Sequence, residues 1–286
     1  MKILVTGGTG TVGSQVVREL LARDVEVEVL TRDLSKAKAL PPGAIPVEGN
    51  LLEPATVRRV FDGVDGVFLL NPVSQTETSE ALMAVSGMRL AGVKRVAYLS
   101  VQDAEKAAWL PHFGSKVGIE GALRVSGIPF TFLRANNFYQ NDYWFKDALL
   151  QYGVYPQPLG DVGTSRVDVR DIAEAAALAL TSGKHDGEVY DLAGPFAHTG
   201  ESTARVWSGA LGKTIRYAGN DLDAWETQSL AYLPAWMVFD FKLMYSHFQQ
   251  AGLKATPTAL ERLDKLLGHA PRTFDAFAAE TAEMWK

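Results

Sequence analysis

The hydrophobic pattern of this chain has two rhythms. Over the first 135 residues, short apolar runs alternate with segments whose apolar residues recur every three or four positions. Lys2–Thr6 (KILVT) reads as a buried strand. Thr11–Ala22 reads as a helix, with Val12, Val16, Leu20 and Val17, Leu21 at helical spacing. The alternation continues with strands at Val25–Leu30, Ala44–Val47, Gly66–Leu70, Arg95–Ser100 and Phe130–Arg134. Between them fall helices at Pro54–Phe61, Gln75–Ala91 and Pro111–Ser126, the first opened by proline. Repeated β–α units with short joints predict an α/β fold, a doubly wound parallel sheet with helices on both faces.

Beyond residue 135 the rhythm loosens. Phe138–Leu150 reads as helical, Ser165–Val169 as extended, Asp171–Thr181 as an alanine-rich helix and Val189–Leu192 as a strand. From residue 200 the pattern is mostly helical, with one short strand candidate at Thr214–Tyr217. The predicted organisation is a core over 1–135, with returning segments near 163–193. Residues 136–286 then form a smaller, mixed, mostly helical lobe that is not an independent domain.

Composition narrows the function classes. The 286 residues are 47% hydrophobic and 21% charged, with a net charge of −5 and no basic run, which argues against nucleic-acid binding. No cysteine is present, so disulfides and thiolate chemistry are excluded. The histidines are scattered without metal-ligand spacing, so no metal is expected. No apolar run approaches the roughly 20 residues that span a bilayer, and no signal peptide is evident. A cytoplasmic protein, monomeric or homodimeric, is the expectation.

Residues 6–13, TGGTGTVG, join the first strand to the first helix. Gly8-x-Gly10-x-x-Gly13 fits the dinucleotide fingerprint, and Gly7-x-x-Gly10-x-x-Gly13 fits its short-chain dehydrogenase variant. Gly7 permits the tight turn, Gly10 lets backbone approach a pyrophosphate, and Gly13 lets helix and strand pack closely. Backbone N–H groups from Thr9 through Thr11 and Val12 then face the phosphates. The core is thus predicted to be a Rossmann dinucleotide-binding fold. The second strand ends in Leu30-Thr31-Arg32-Asp33, without the acid that usually binds an NAD ribose. Arg32, aided by Lys36 one turn on, suits a 2′-phosphate, so NADP(H) is expected over NAD(H). Asp33 is free to cap the next turn.

These residues carry a resemblance. TGGTGTVG, LTRD, GNLLEP at 49–54, VKRVAYLS at 93–100, HFGSKVGIEGALRVSGIPFTFLRANNFYQN at 112–141 and VDVRDIAEAAA at 167–177 resemble the NmrA-like group of atypical short-chain dehydrogenases/reductases. That group includes NADPH:quinone oxidoreductases and triphenylmethane reductases. The resemblance implies that Asn50 lies near the adenine, that Leu51 beside it also binds the cofactor, and that Leu70, Asn71 and Pro72 line the cofactor groove. It implies too that Ser100 lies near the nicotinamide, and that Arg134, Asn136 and Asn137 edge the nicotinamide and substrate side.

Lys116 resembles the superfamily lysine that binds the nicotinamide ribose. His112 stands four residues earlier, where the superfamily pattern Tyr-x-x-x-Lys has its tyrosine. Histidine can do acid work near neutral pH, so His112 and Lys116 are the catalytic candidates. The competing reading makes Lys116 one rung of a surface ladder with Glu120, worth about 0.3–0.5 kcal/mol. With Lys116 on the cofactor, loss of Glu120 is expected to cost well under about 1 kcal/mol and to leave binding intact. Phe138, Tyr139, Tyr143 and Trp236 are candidates for an apolar wall against an aromatic acceptor, or for core packing of the lobe. The expected activity is hydride transfer from NADPH to a quinone or similar planar, conjugated small molecule. The alternative is a nucleotide-sensing regulator without turnover.

Overall fold

The computed structural model describes residues 1–286. The predicted alternation is present: β1 (Lys2–Thr6), α1 (Thr11–Leu21), β2 (Glu26–Thr31), β3 (Ile45–Glu48), α2 (Pro54–Val57), β4 (Gly66–Leu69), α3 (Glu77–Ala91), β5 (Arg95–Val101), α4 (Pro111–Val125) and β6 (Phe130–Ala135). There follow β7 (Val154–Tyr155), α5 (Val169–Thr181), β8 (Val189–Leu192), α6 (Gly200–Leu211), β9 (Arg216–Tyr217), α7 (Leu222–Ser229), α8 (Ala235–Ala251), α9 (Pro257–Leu267) and α10 (Phe274–Met284). No helix is long and apolar enough to cross a membrane.

The main sheet has the order β3-β2-β1-β4-β5-β6-β8, and the pairs from β3 through β6 are parallel. Strand order reverses between β1 and β4, so the crevice beyond their carboxyl ends is where such a sheet takes a ligand. On one face, Phe61, Met88, Tyr98, Ile119, Leu123 and Phe132 form the core beneath α3 and α4. On the other face, the alanine-rich α5 packs beside α1 and against β4 to β6. Small side chains allow that close approach.

The chain divides into two compact units. The first comprises residues 1–108, 112–135 and 169–190, and the second 109–111, 136–168 and 191–286. The second is built on a buried polar network. Arg166 and Asp142, both fully buried, pair at 2.6 Å. Trp207 Nε1 donates to Asp142 at 2.9 Å, and Tyr155 Oη donates to Gln157 at 2.7 Å. Gln157 in turn donates to Tyr245 Oη at 3.0 Å. Burial first, and Asp142 among the nearby charges, push the Tyr155 phenol well above its ordinary range, so it stays neutral.

Three predicted elements differ in detail. α2 stops at Val57 rather than Phe61, because the chain tightens into turns, with the Arg59 N–H reaching the Thr56 carbonyl at 3.0 Å. The helix predicted over Phe138–Leu150 is a 3-10 segment, Tyr139–Phe145, followed by a π turn, Ala148–Tyr152. Asp142 must point inward to Arg166, and that guanidinium also donates to the Phe138 carbonyl at 2.9 Å. The tertiary requirement overrides the helical pattern. The strand predicted at Ser165–Val169 reduces to isolated bridges, Phe138 with Val167 and Thr164 with His198 and Leu253, because α5 already begins at Val169.

The tightest backbone packing is at the β1–α1 joint, where a Cβ on Gly13 would lie 2.2 Å from the Gly7 carbonyl oxygen. Gly13→Ala is therefore expected to lower stability by at least about 1–3 kcal/mol, the usual cost of overpacking. Urea unfolding of the two proteins measures it, and equal midpoints and slopes would show that α1 can slide off β1 freely.

Candidate functional site

The β1–α1 turn is built for close approach. Gly7 has φ +65°, and its carbonyl accepts from the Gly10 N–H at 2.9 Å. Gly10 is the N-cap residue of α1 and brings no side-chain cap, so the first N–H groups of the helix have no side-chain acceptor at that position. Opposite, the Thr6 hydroxyl accepts from Leu70 N–H at 2.7 Å and faces the Leu70 carbonyl at 2.8 Å, fastening the ends of β1 and β4 together.

These strand ends line a cleft of about 270 Å³. Of the sequence-predicted residues it brings together Gly7, Thr9, Gly10, Arg32, Lys36, Asn50, Leu51, Leu70, Asn71 and Pro72. Val12 and Gly13 are buried behind the turn, and Thr11 is exposed beside it. Asp33 caps the next turn by accepting from Ser35 N–H at 2.9 Å. The hydrogen bonds from Ser35 hold its carboxyl below the usual range. The Arg32 side chain is 67% exposed at the rim of this cleft. A larger open hollow of about 740 Å³ adjoins it, lined by Arg32, Glu48, Asn50, Glu53 and Arg59.

Two buried groups test whether a dinucleotide fits. Neither amide atom of Asn71 has a hydrogen-bond partner in the protein, and nor does Ser100 Oγ. Both residues are only 4% exposed, and both stand at or just beyond a strand's carboxyl end. Leaving such atoms unpaired costs about 1–3 kcal/mol each, which a polar ligand would relieve. The glycine turn, the helix N-terminus and these amide and hydroxyl groups fit a dinucleotide.

The α4 residues depart from expectation. Lys116 is 8% exposed, and its Nζ lies 2.5 Å from Glu77 Oε1 on α3, with the Tyr98 ring 5.6 Å away. Glu120 takes Arg134 instead, accepting from Nε at 2.9 Å and Nη2 at 2.6 Å. Arg134 also reaches both carboxylate oxygens of Glu105, and that hydrogen bonding lowers the Glu105 carboxyl's pKa. The surface ladder therefore does not form, since the two ends of the supposed rung face different partners. Arg134 is a brace between α4 and the β5–α4 connection, not a free edge of the site. His112 is buried in the first turn of α4, its ring 4.8 Å from that of Phe113. Burial, then Glu77 and Glu120, push the Tyr98 phenol well above its ordinary range.

Sequence reasoning missed Glu77 and Glu80. Both sit in the first turn of α3, where acids are expected for the helix dipole alone. No spacing rule marks which of them turns inward.

In the second unit, Asn136 is committed to its own scaffold. Its Nδ2 donates to the Leu253 carbonyl at 2.7 Å, and its Oδ1 accepts from the Asn137 N–H at 2.8 Å. Both of its amide atoms thus brace the backbone of this unit. Asn137 Oδ1 accepts from Asn141 at 3.3 Å, and its residue stays half-buried. Tyr139 is fully buried, with Phe274 and Phe277 rings at 5.1 and 5.5 Å, so it is core rather than a wall. Phe138 and Trp236 are half-buried, and Tyr143 is 39% exposed.

The buried pairs set a stability test. Glu120 is 3% exposed and carries two hydrogen bonds from Arg134. Glu120→Ala is expected to destabilise by about 1.5–3 kcal/mol, the cost of lost hydrogen bonds to a charged group, because Arg134 keeps its pairing with Glu105. A loss under about 1 kcal/mol in chemical denaturation would restore the surface reading.

Residues 1–278 match the model of the NmrA-like family. The chain is 30% identical to an NAD(P)H azoreductase of Xenophilus azovorans, over 96% of each. It is 29% identical to a (4-alkanoyl-5-oxo-2,5-dihydrofuran-3-yl)methyl phosphate reductase of Streptomyces griseus, over 98% of each. Among solved structures, it is similar to the NADPH-dependent quinone oxidoreductase QOR2 of Escherichia coli in complex with NADPH. There the TM-score is 0.85, with 26% identity over 99% of both chains.

Proposed function

The chain belongs to the NmrA-like family, and from that premise we propose that it is an NADPH-dependent reductase passing hydride to a quinone or similar planar, conjugated acceptor. The observation that carries the reading is the cleft beside β1 and β4. There the glycine turn, Arg32, Lys36 and the unpartnered Asn71 amide converge. The relatives support the reaction class. An azo bond, an oxo-dihydrofuran and a quinone, the acceptors in those proteins' names, are all conjugated groups that can take up hydride.

When bound, the nicotinamide supplies the hydride. The chain's own groups bind and orient. The turn N–H groups hold the pyrophosphate, Arg32 and Lys36 the 2′-phosphate, and Asn50 and Leu51 the adenine. Ser100 and Lys116 attend the nicotinamide ribose side, and Glu77 on α3 holds the Lys116 ammonium in place. His112 is not needed as an acid for a quinone, whose reduced oxygens can take protons from water. Phe138, Tyr143 and Trp236, none of them fully buried, are the acceptor-side candidates.

Arg32→Glu is expected to weaken NADPH binding on the order of 10–100-fold, the loss of charge-assisted hydrogen bonds, and NADH far less. Calorimetric titration of both cofactors measures it, and equal losses would remove Arg32 from the 2′-phosphate.

Lys116→Met takes the ammonium away from the buried Glu77 carboxylate, so it is expected to lower both stability and NADPH affinity. Adding Glu77→Gln should return much of the stability without returning the affinity. Restoration of NADPH binding in the double variant would make Lys116 purely structural.

Anaerobic mixing with NADPH and a panel of quinones, azo dyes and enones, followed by loss of reduced-nicotinamide absorbance, tests turnover. His112→Phe should keep quinone turnover within about tenfold, since general acid help is worth ~10²–10⁴-fold only where a proton moves in the transition state. Tight NADPH binding with no turnover on any acceptor would instead identify a nucleotide-sensing regulator.

A further inference from the structure

We propose that Glu80 sets the choice of cofactor. It opposes Arg32 at the adenosine ribose, so that the site accepts a 2′-hydroxyl as well as a 2′-phosphate. The proposal rests on the cleft being the dinucleotide site.

Glu80 lines the same cleft as Arg32 and Lys36, although it is only 7% exposed. Its Oε1 lies 4.0 Å from Arg32 Nη1 and accepts from Thr76 Oγ1 at 2.8 Å. The carboxylate is thus anchored by its own helix start and aimed at the guanidinium. Arg32, at 67% side-chain exposure, is the partner that can move.

The consequence is electrostatic. A 2′-phosphate held by Arg32 comes within roughly 7 Å of the Glu80 carboxylate, adding one charge-assisted contact to the observed separation. At that range two like charges in a partly solvated cleft repel enough to change affinity on the order of tenfold. A ribose 2′-hydroxyl carries no charge and can donate a hydrogen bond to a carboxylate. The acid that NAD sites usually place at the end of β2 is missing there, where Thr31 and Arg32 stand instead. Glu80 supplies an acid to the same corner from α3. Arg32 and Glu80 together hold either form, each compensating the other when only one is used.

The test is Glu80→Gln, which keeps an acceptor for Thr76 and removes the charge. Titrations with NADPH, NADH, 2′,5′-ADP and 5′-AMP isolate the ribose end from the nicotinamide end. The expected result is tighter binding of NADPH and 2′,5′-ADP by roughly five- to tenfold, with NADH and 5′-AMP unchanged or weaker. The gain for the 2′-phosphate ligands should shrink as salt is raised, because the phosphate and Arg32 lie at the exposed side of the cleft, where ions screen them. A change in packing would not follow salt. Glu80→Ala should shift the ratio in the same direction, and thermal melts establish that both variants are folded. An NADPH-to-NADH affinity ratio within twofold of the wild type in both variants overturns the role of Glu80 while leaving the cofactor site intact. A wild-type protein that binds neither nucleotide overturns the cofactor site and this proposal with it.

Discussion

The first unit depends on how closely α1 approaches β1. With the Gly7 carbonyl already 2.2 Å from where a Cβ on Gly13 would be, there is room for a hydrogen atom and nothing larger. That contact sets where the helix begins, and so aims its first N–H groups into the cleft. It also places Gly7 against Leu70, whose Cδ2 would lie 2.5 Å from a Gly7 Cβ. The Thr6 hydroxyl then ties Leu70 to β1. The cleft's floor, helix-start end and far wall thus follow from two glycines and one threonine.

Charge inside this unit is arranged by which helix face each residue occupies. Lys116 and Glu120 are four apart and share a face of α4, yet each turns to a different element. Lys116 reaches Glu77 on α3, and Glu120 reaches Arg134 on β6. Buried pairs of this kind contribute little net stability, because desolvation offsets most of the attraction. Their effect is positional. They fix an ammonium group and a helix that a set of apolar residues would leave free to slide.

Most of the sheet was legible because parallel strands buried on both faces read as short apolar runs between helical periods. The cleft residues were legible for a related reason, since a ligand site at strand ends is located once the strands are. What was not legible depends on partners far away in sequence. Glu77 and Glu80 look like ordinary first-turn acids until Lys116 and Arg32 are brought beside them. Asn136 and Tyr139 look like site residues because they follow β6, but one braces Leu253 and the other packs on Phe274. The Phe138–Leu150 stretch has helical spacing, and only the fully buried Arg166 explains why it coils otherwise.

The network around Arg166 constrains how this sequence can change over time. Its members come from five separated stretches, contributing Asp142, Tyr155 and Gln157, Arg166, Trp207 and Tyr245. Losing one member leaves a buried charge or hydroxyl without its partner, whereas replacing the whole set with apolar residues of similar volume can be nearly neutral. Single steps through this region are therefore strongly deleterious, and paths that alter several members at once are rare. Substitutions here interact epistatically. The centre of the second unit is thus the part least able to change one residue at a time.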